Sequence, residues 1–176
     1  MRQGIFPRGR YRPQKGQALV ELALVMPLYL FLFFGLLELS MVYATSALYS
    51  SAVYQAVRAE ALAGSHDATV DSNIIQVISH TVHPLFMAQI QRIEIYRSNA
   101  QGAGPDGTHV TIFLNGATVP TQSWLMSDRV SQAQNPVYIG VRITYRYTWL
   151  TAFIGATGTT ILLHSDSVSP LLDVGG

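Results

Sequence analysis

The sequence predicts an α+β protein in which a long N-terminal helix packs on a small antiparallel sheet, with one short extra helix. Two patterns support this class. Beyond Glu38, apolar residues recur at three- and four-residue spacing until Gly64, and four later segments alternate apolar and polar residues. With 176 residues and no cysteine, the chain can build one modest domain beyond the helix, and that domain depends on packing for its stability.

The first half of the predicted helix is long and apolar enough to cross a bilayer. Residues 22–37 carry no charge, and with their apolar flanks they exceed the roughly 20 residues that a spanning helix needs. Glu21 and Glu38 bracket this segment at a separation of roughly 25 Å, so each could lie near an interface. We therefore expect a transmembrane helix at about residues 18–43 that continues as an amphipathic helix to residue 64.

Charge on either side of the apolar segment predicts its orientation. Five cations and no acid precede it, namely Arg2, Arg8, Arg10, Arg12 and Lys15. An excess of Lys and Arg marks the cytoplasmic side, so residues 65–176 should form a head outside the cytoplasm. After residue 16 the chain has six cations against ten anions and no lysine, which argues against nucleic acid as a partner.

Glu21 stands at the start of the apolar run, where a carboxylate in lipid costs a few kcal/mol unless it is paired. Cleavage after Gly16 would place a new amino group on Gln17, one helical turn from Glu21. The same amine on a neighbouring subunit could also pair with this carboxylate. Proteolysis would thus create the counter-ion that Glu21 needs.

A short basic leader that ends in Gly16, followed by a carboxylate at the fifth residue of an apolar helix, resembles the type IV prepilin signal. The segment from Gly16 to Leu28 reads GQALVELALVMPL and is similar to the start of TadE-like minor pilins, the pseudopilins of the tight-adherence (Tad/Flp) pilus. Both Glu21 and Pro27 fall in register with that pattern. The resemblance covers about the first third of the chain, and the long strand near the C-terminus followed by an aromatic-rich turn is similar only in general pattern.

The resemblance implies a prepilin leader at residues 1–16, with Gly16 before the scissile bond, Gln17 as mature N-terminus and Glu21 as recognition and assembly carboxylate. Pro27 would be the proline that kinks the helix. The implied partners are a prepilin peptidase, other minor pilins or the major pilin, the inner membrane and the pilus assembly machinery. The implied function is assembly of a pilus used for adhesion or surface attachment.

Two other readings of the N-terminus remain open. The basic segment could be a tail that is never cut, in which case the protein is a single-pass anchored binding module. Alternatively, the small residues before Thr45 could form a signal-peptidase site, although the apolar segment is longer than a usual signal sequence.

The head is predicted to contain a helix at 74–82 and strands at 90–97, 109–114, 137–149 and 159–168. Asp71, Ser72 and Asn73 are the candidate N-caps of that helix. Residues 115–136 are expected to form a long surface loop. Within it, Trp124 could anchor a partner or cover the sheet.

No motif predicts catalysis, and we expect no enzyme, cofactor or metal site. His80 and His83 could share a helix face but lack a third ligand, and His164 and Asp166 could share a strand face without a nucleophile beside them.

Overall fold

A computed structural model describes residues 15–63, 69–82, 87–115, 117, 119–129, 136–150 and 159–171. Its first element, α1, is a single helix of 49 residues, Lys15–Ala63, about 73 Å long at the usual helical rise. Pro27 lies inside it. The continuous N-terminal helix predicted from the sequence is therefore confirmed.

Burial divides α1 into two halves. Large apolar side chains are exposed along the first half as far as Leu37, and from Glu38 onward one side of the helix is buried. The buried positions recur every three or four residues, which is the spacing of one helix face. They are Glu38, Thr45, Tyr49, Ala52, Val53, Ala56, Val57, Glu60 and Ala61.

The second helix, α2, spans Val70–Val82 and begins four residues before the predicted start. The predicted caps are wrong, because Asp71, Ser72 and Asn73 lie in its first turn. The backbone carbonyl of Thr69 accepts bonds from the Asn73 amide at 3.0 Å and the Ser72 hydroxyl at 2.7 Å. The buried stripe of α2 is the predicted one: Ile74, Ile75, Ile78 and Val82.

Four antiparallel strands form one sheet in the order β2-β1-β3-β4. Their bounds are Ala88–Ser98 for β1, Val110–Leu114 for β2, Tyr138–Thr148 for β3 and Thr160–Pro170 for β4. Each agrees with a predicted strand to within about two residues, and the α+β class is confirmed. The odd positions of β3 from Ile139 to Tyr147 are fully buried, as their alternation predicted.

The core lies between the sheet and the two helices. Tyr49 of α1 stacks on Tyr145 of β3, with ring centroids 3.8 Å apart and planes 5° apart. Further along α1, residues between Tyr54 and Leu62 line a cleft with Val168 and Ser169 of β4.

The contacts between α1 and the sheet give the head two ends. At one end, the Tyr147 hydroxyl and the Leu150 amide reach Glu38, directly after the apolar segment. We call this the proximal end. The other, here the distal end, holds the turn between β1 and β2 and the start of β3 at Tyr138, which pairs with Ser98.

Candidate functional site: the apolar helix and its attachment to the head

The first turn of α1 contains the residues that the sequence singles out for processing. Outside its own helix backbone, no described residue comes within 4 Å of the position that a Cβ on Gly16 would occupy. The side-chain amide of Gln17 donates a hydrogen bond to Glu21 Oε1 at 3.1 Å, and both residues are exposed. The structure therefore brings Gln17 and Glu21 together, one helical turn apart, and leaves Gly16 open to the surroundings.

The apolar surface that follows has no cover from the rest of the described chain. Leu24 is 75% exposed, and apolar side chains are exposed on every side of the helix up to Leu37. By length and composition this is the one described helix that could cross a membrane, and its most apolar window has no buried residue. A helix that is apolar all round needs an apolar environment, either lipid or other helices.

Pro27 stands in the middle of this exposed surface. It has no amide hydrogen, so the carbonyl of Ala23 lacks its usual helical partner. Neighbouring helices or local adjustments satisfy such a group in a membrane. The bend expected at Pro27 stays a prediction.

Glu38 attaches the helix to the head. It is 1% exposed, and its Oε1 accepts hydrogen bonds from the Tyr147 hydroxyl at 3.1 Å and from the Leu150 amide at 2.9 Å. Burial and the adjacent Glu38 carboxylate raise the pKa of Tyr147 to about 12, so its hydroxyl stays a donor at neutral pH. The sequence marked Glu38 as the end of the apolar run, but its head partners, 109 and 112 residues away, had no local signal.

A buried charge cluster ties the far end of α1 to the rest of the head. Arg129 ends a short 3-10 helix, Met126–Arg129, and its side chain is fully buried. It donates to Glu60 Oε1 at 2.6 Å and forms a two-pronged bond with Asp71 at 2.7 and 2.8 Å. Two further bonds reach the Thr111 hydroxyl and the Trp124 carbonyl. One side chain thereby links α1, α2, β2 and the segment before β3.

This cluster places one cation against two carboxylates. Burial, and next the charge of Asp71, raise the pKa of Glu60 to about 8, because the charged form of Glu60 is disfavoured there. Glu60 Oε2 also accepts no hydrogen bond. Burial and Asp71 thus shift Glu60 towards its protonated form, while the charge of Arg129 opposes that shift.

Most described residues of the expected surface loop at 115–136 are exposed, but Trp124 and Arg129 are buried. Trp124 is only 3% exposed, its amide donates to the Thr111 hydroxyl, and its ring lies 4.9 Å from the Arg129 guanidinium. Trp124 thus belongs to the core. The burial of Arg129 was not predicted, because a long-range ion cluster gives no periodic signal in the sequence.

The described histidines that the sequence offered as candidate metal or catalytic residues do not form a site with each other. His80 is exposed on α2, and His83 lies outside the described residues. Asp166 is 3.7 Å from Arg142, which makes arginine rather than His164 its charge partner. Among the described residues, no three His, Asp or Glu side chains are placed to share a metal ion.

A comparison with protein families found a match within α1. The family model of the TadE-like proteins matches residues 16–58. Residues 16–58 are a TadE-like segment. The match begins at Gly16, includes Glu21, Pro27 and Glu38, and ends on the part of α1 that packs on the sheet.

The match makes residues 16–58 similar to TadE-like proteins of the Tad pilus system, as the sequence predicted, and the exposed apolar helix is compatible with single-pass anchoring in a membrane. TadE-like proteins are pilus components and are not known as enzymes. A search of curated proteins and a search of solved structures each found no match.

Proposed function

We propose that the protein is a minor pilin, or pseudopilin, of a Tad/Flp-type pilus that a prepilin peptidase cleaves between Gly16 and Gln17. Residues 1–16 are then a cytoplasmic leader, and residues 65–176 are a head displayed outside the cytoplasm. The mature protein acts in the assembly of a pilus for adhesion or surface attachment. Its partners are the peptidase, other minor pilins or the major pilin, and the assembly machinery in the inner membrane.

The observation that carries this proposal is the exposed apolar half of α1, which begins at Gly16 where the family match also begins. Its side chains are uncovered, so the chain requires lipid or other helices around them. Other pilin helices would supply such a surface in a filament, and lipid would supply it before assembly.

The assembly role of Glu21 follows from its position in that half. Among the described residues, Glu21 contacts the neutral side-chain amide of Gln17. After cleavage, the α-amino group of Gln17 would lie within about one turn and would carry the positive charge that the amide lacks. A charged pair of this kind, within one subunit or between two, offsets the cost of a carboxylate at the edge of lipid.

The packing of α1 argues against the alternative cut before Thr45. Thr45 is 3% exposed and lies within a continuous helix that is packed on the sheet. Cleavage there would remove Glu38 and leave the Tyr147 hydroxyl and the Leu150 amide without their acceptor. A signal sequence is discarded by the mature protein, whereas Glu38 holds part of this head together.

The test is the N-terminus of the protein from cells that contain the prepilin peptidase, read by mass spectrometry of the intact chain. Gln17 at the N-terminus supports the proposal. Met1 would indicate an uncleaved, anchored binding module, and Thr45 a secretory signal. Pyroglutamate at Gln17 in assembled material would show cleavage but reject the ion pair, because a cyclised glutamine has no amine.

A further inference from the structure

The proximal end of the head carries apolar side chains that are exposed or only partly covered by the core. The Leu150 amide is bonded to Glu38, yet the Leu150 side chain is 55% exposed. Trp149 beside it is half-buried and contacts the Tyr147 ring edge-on at 5.6 Å. On α1, Tyr43 is 79% exposed at just over one turn beyond Glu38.

These side chains lie at the height where the apolar segment ends. Glu38 directly follows the uncharged run of residues 22–37, so the bond from Leu150 fixes the end of β3 beside the boundary of that run. Tryptophan and tyrosine are enriched where membrane meets water, because one part of each ring system is apolar and another is polar.

The charges around the proximal end suit a lipid surface. Arg146 is exposed near the end of β3, and among the described residues its guanidinium bonds to the neutral side chain of Gln91, at 3.2 Å. The acid nearest to Leu150 among the described contacts is Glu38, which is buried and already accepts two hydrogen bonds. An exposed arginine beside apolar side chains can meet lipid phosphates while its neighbours enter the acyl region.

The turn at the distal end is polar, in contrast to the apolar side chains at the proximal end. This turn between β1 and β2 runs from Asn99 to Thr108, contains no large apolar residue and is largely exposed. Asn99 and Asp106 bind backbone amides within that turn. Outside that turn, Leu62 of α1 lies near the distal end and is 54% exposed, so the proximal end is distinguished by its position beside the apolar segment.

We propose that the proximal end of the head is a membrane-contact surface, formed by Tyr43, Trp149, Leu150 and Arg146, that rests on the lipid interface before assembly. This inference rests on the membrane anchoring in the proposed function. The contact would fix the depth of α1 in the bilayer, so that Glu38 stays covered by the head and is not exposed to the acyl chains. The partner is the headgroup and upper acyl region of a phospholipid bilayer.

The absence of cysteine from the chain allows a clean test with single spin labels. We would label Leu150→Cys in the full-length protein in phosphatidylcholine and phosphatidylglycerol vesicles, and compare relaxation by oxygen, which concentrates in lipid, with relaxation by a water-soluble nickel chelate. The substitution keeps the Leu150 amide and so its bond to Glu38. Gln101→Cys, exposed in the distal turn, is the matched control, and Leu32→Cys reports on the apolar segment.

The ratio of oxygen to nickel relaxation should be about threefold higher at Leu150 than at Gln101, as for a side chain that sits ~5–10 Å into the interface. It should be highest at Leu32. Equal ratios at Leu150 and Gln101, with a high ratio at Leu32, would overturn the membrane contact while leaving the anchor intact. A low ratio at Leu32 would instead show that the helix does not insert, which rejects both the contact and the proposed anchoring.

Discussion

The two halves of α1 belong to one unbroken helix but have opposite surroundings. Between Gly16 and Leu37 large apolar side chains are exposed, and no residue of that stretch is classed as buried. From Glu38 to Ala61 one face is buried against the sheet and α2, and it includes two buried carboxyl groups. The first half therefore obtains its apolar surroundings from outside the chain, and the second half from within it.

This difference separates what the helix does for assembly from what it does for the fold. The family match runs across the junction, from residue 16 to 58, and stops before α2 and the sheet. Substitutions in the second half, or in its partners, should change the stability of the head. Substitutions in the first half should leave that stability unchanged, and the following predictions test this division.

The largest loss of stability is expected for Arg129→Ala. It would remove five hydrogen bonds and leave the largely buried Asp71 carboxylate without its cation, a change that typically costs about 3–5 kcal/mol. Denaturant unfolding of the full-length protein in detergent micelles, followed by near-ultraviolet circular dichroism, measures it. Arg129→Lys keeps the charge but not the two-pronged geometry and should lose less. Equal unfolding midpoints for Arg129→Ala and the unsubstituted protein would show that the cluster does not hold the helices together.

Glu38→Ala should have the next largest effect. It would remove the acceptor for the Tyr147 hydroxyl and the Leu150 amide, and each unsatisfied buried donor costs roughly 1–3 kcal/mol. The same unfolding measurement applies, with Glu38→Gln as the variant that keeps an acceptor oxygen. Ser40→Ala is a control on the exposed side of the same turn, where the hydroxyl bonds only to the Leu36 carbonyl of its own helix. If Glu38→Ala and Ser40→Ala unfold alike, the junction at Glu38 contributes nothing to the head.

A smaller effect is expected from pH through Glu60. Its pKa is raised to about 8 in the folded state from an ordinary value near 4.5, so the folded protein binds more protons than the unfolded one between these values. The contribution is fully present below about pH 4.5 and is lost as pH rises through about 8. Between pH 6 and 7 the free energy of unfolding should fall by up to about 1.4 kcal/mol from this group.

Glu60→Gln isolates that contribution, because it cannot ionise and retains an oxygen for Arg129. The groups that face Glu60 are Arg129 and Asp71, and neither is changed in this variant. The free energy of unfolding is measured against pH for both proteins. The value for the unsubstituted protein minus that for Glu60→Gln should decline as pH rises. A difference that is flat, or that increases with pH, contradicts a raised pKa at Glu60.

Much of the fold could be predicted because periodicity is a local signal. The alternation in β3 and the stripe in α2 each arise from one buried face, and both were read correctly. The buried polar groups were not found, since Glu38, Glu60 and Arg129 look in sequence like solvated charges. The donors that bind Glu38 and the carboxyl groups that bind Arg129 lie 58 to 112 residues away from them, and only the folded chain brings them together.

The smallest effect on stability is expected at the other end of α1, for Glu21→Ala. Glu21 is exposed and among the described residues it bonds to the side chain of Gln17, one turn away, so the free energy of unfolding of the head should change by less than about 0.5 kcal/mol. Insertion into membranes should also persist. Co-purification from cells should recover much less of the variant with partner pilins. Gln17→Ala removes the side-chain amide but keeps the backbone amine, and its normal assembly would assign the pairing to that amine. A Glu21→Ala protein that assembles normally would reject the pairing role, and one with a destabilised head would show that the two halves of α1 are not independent.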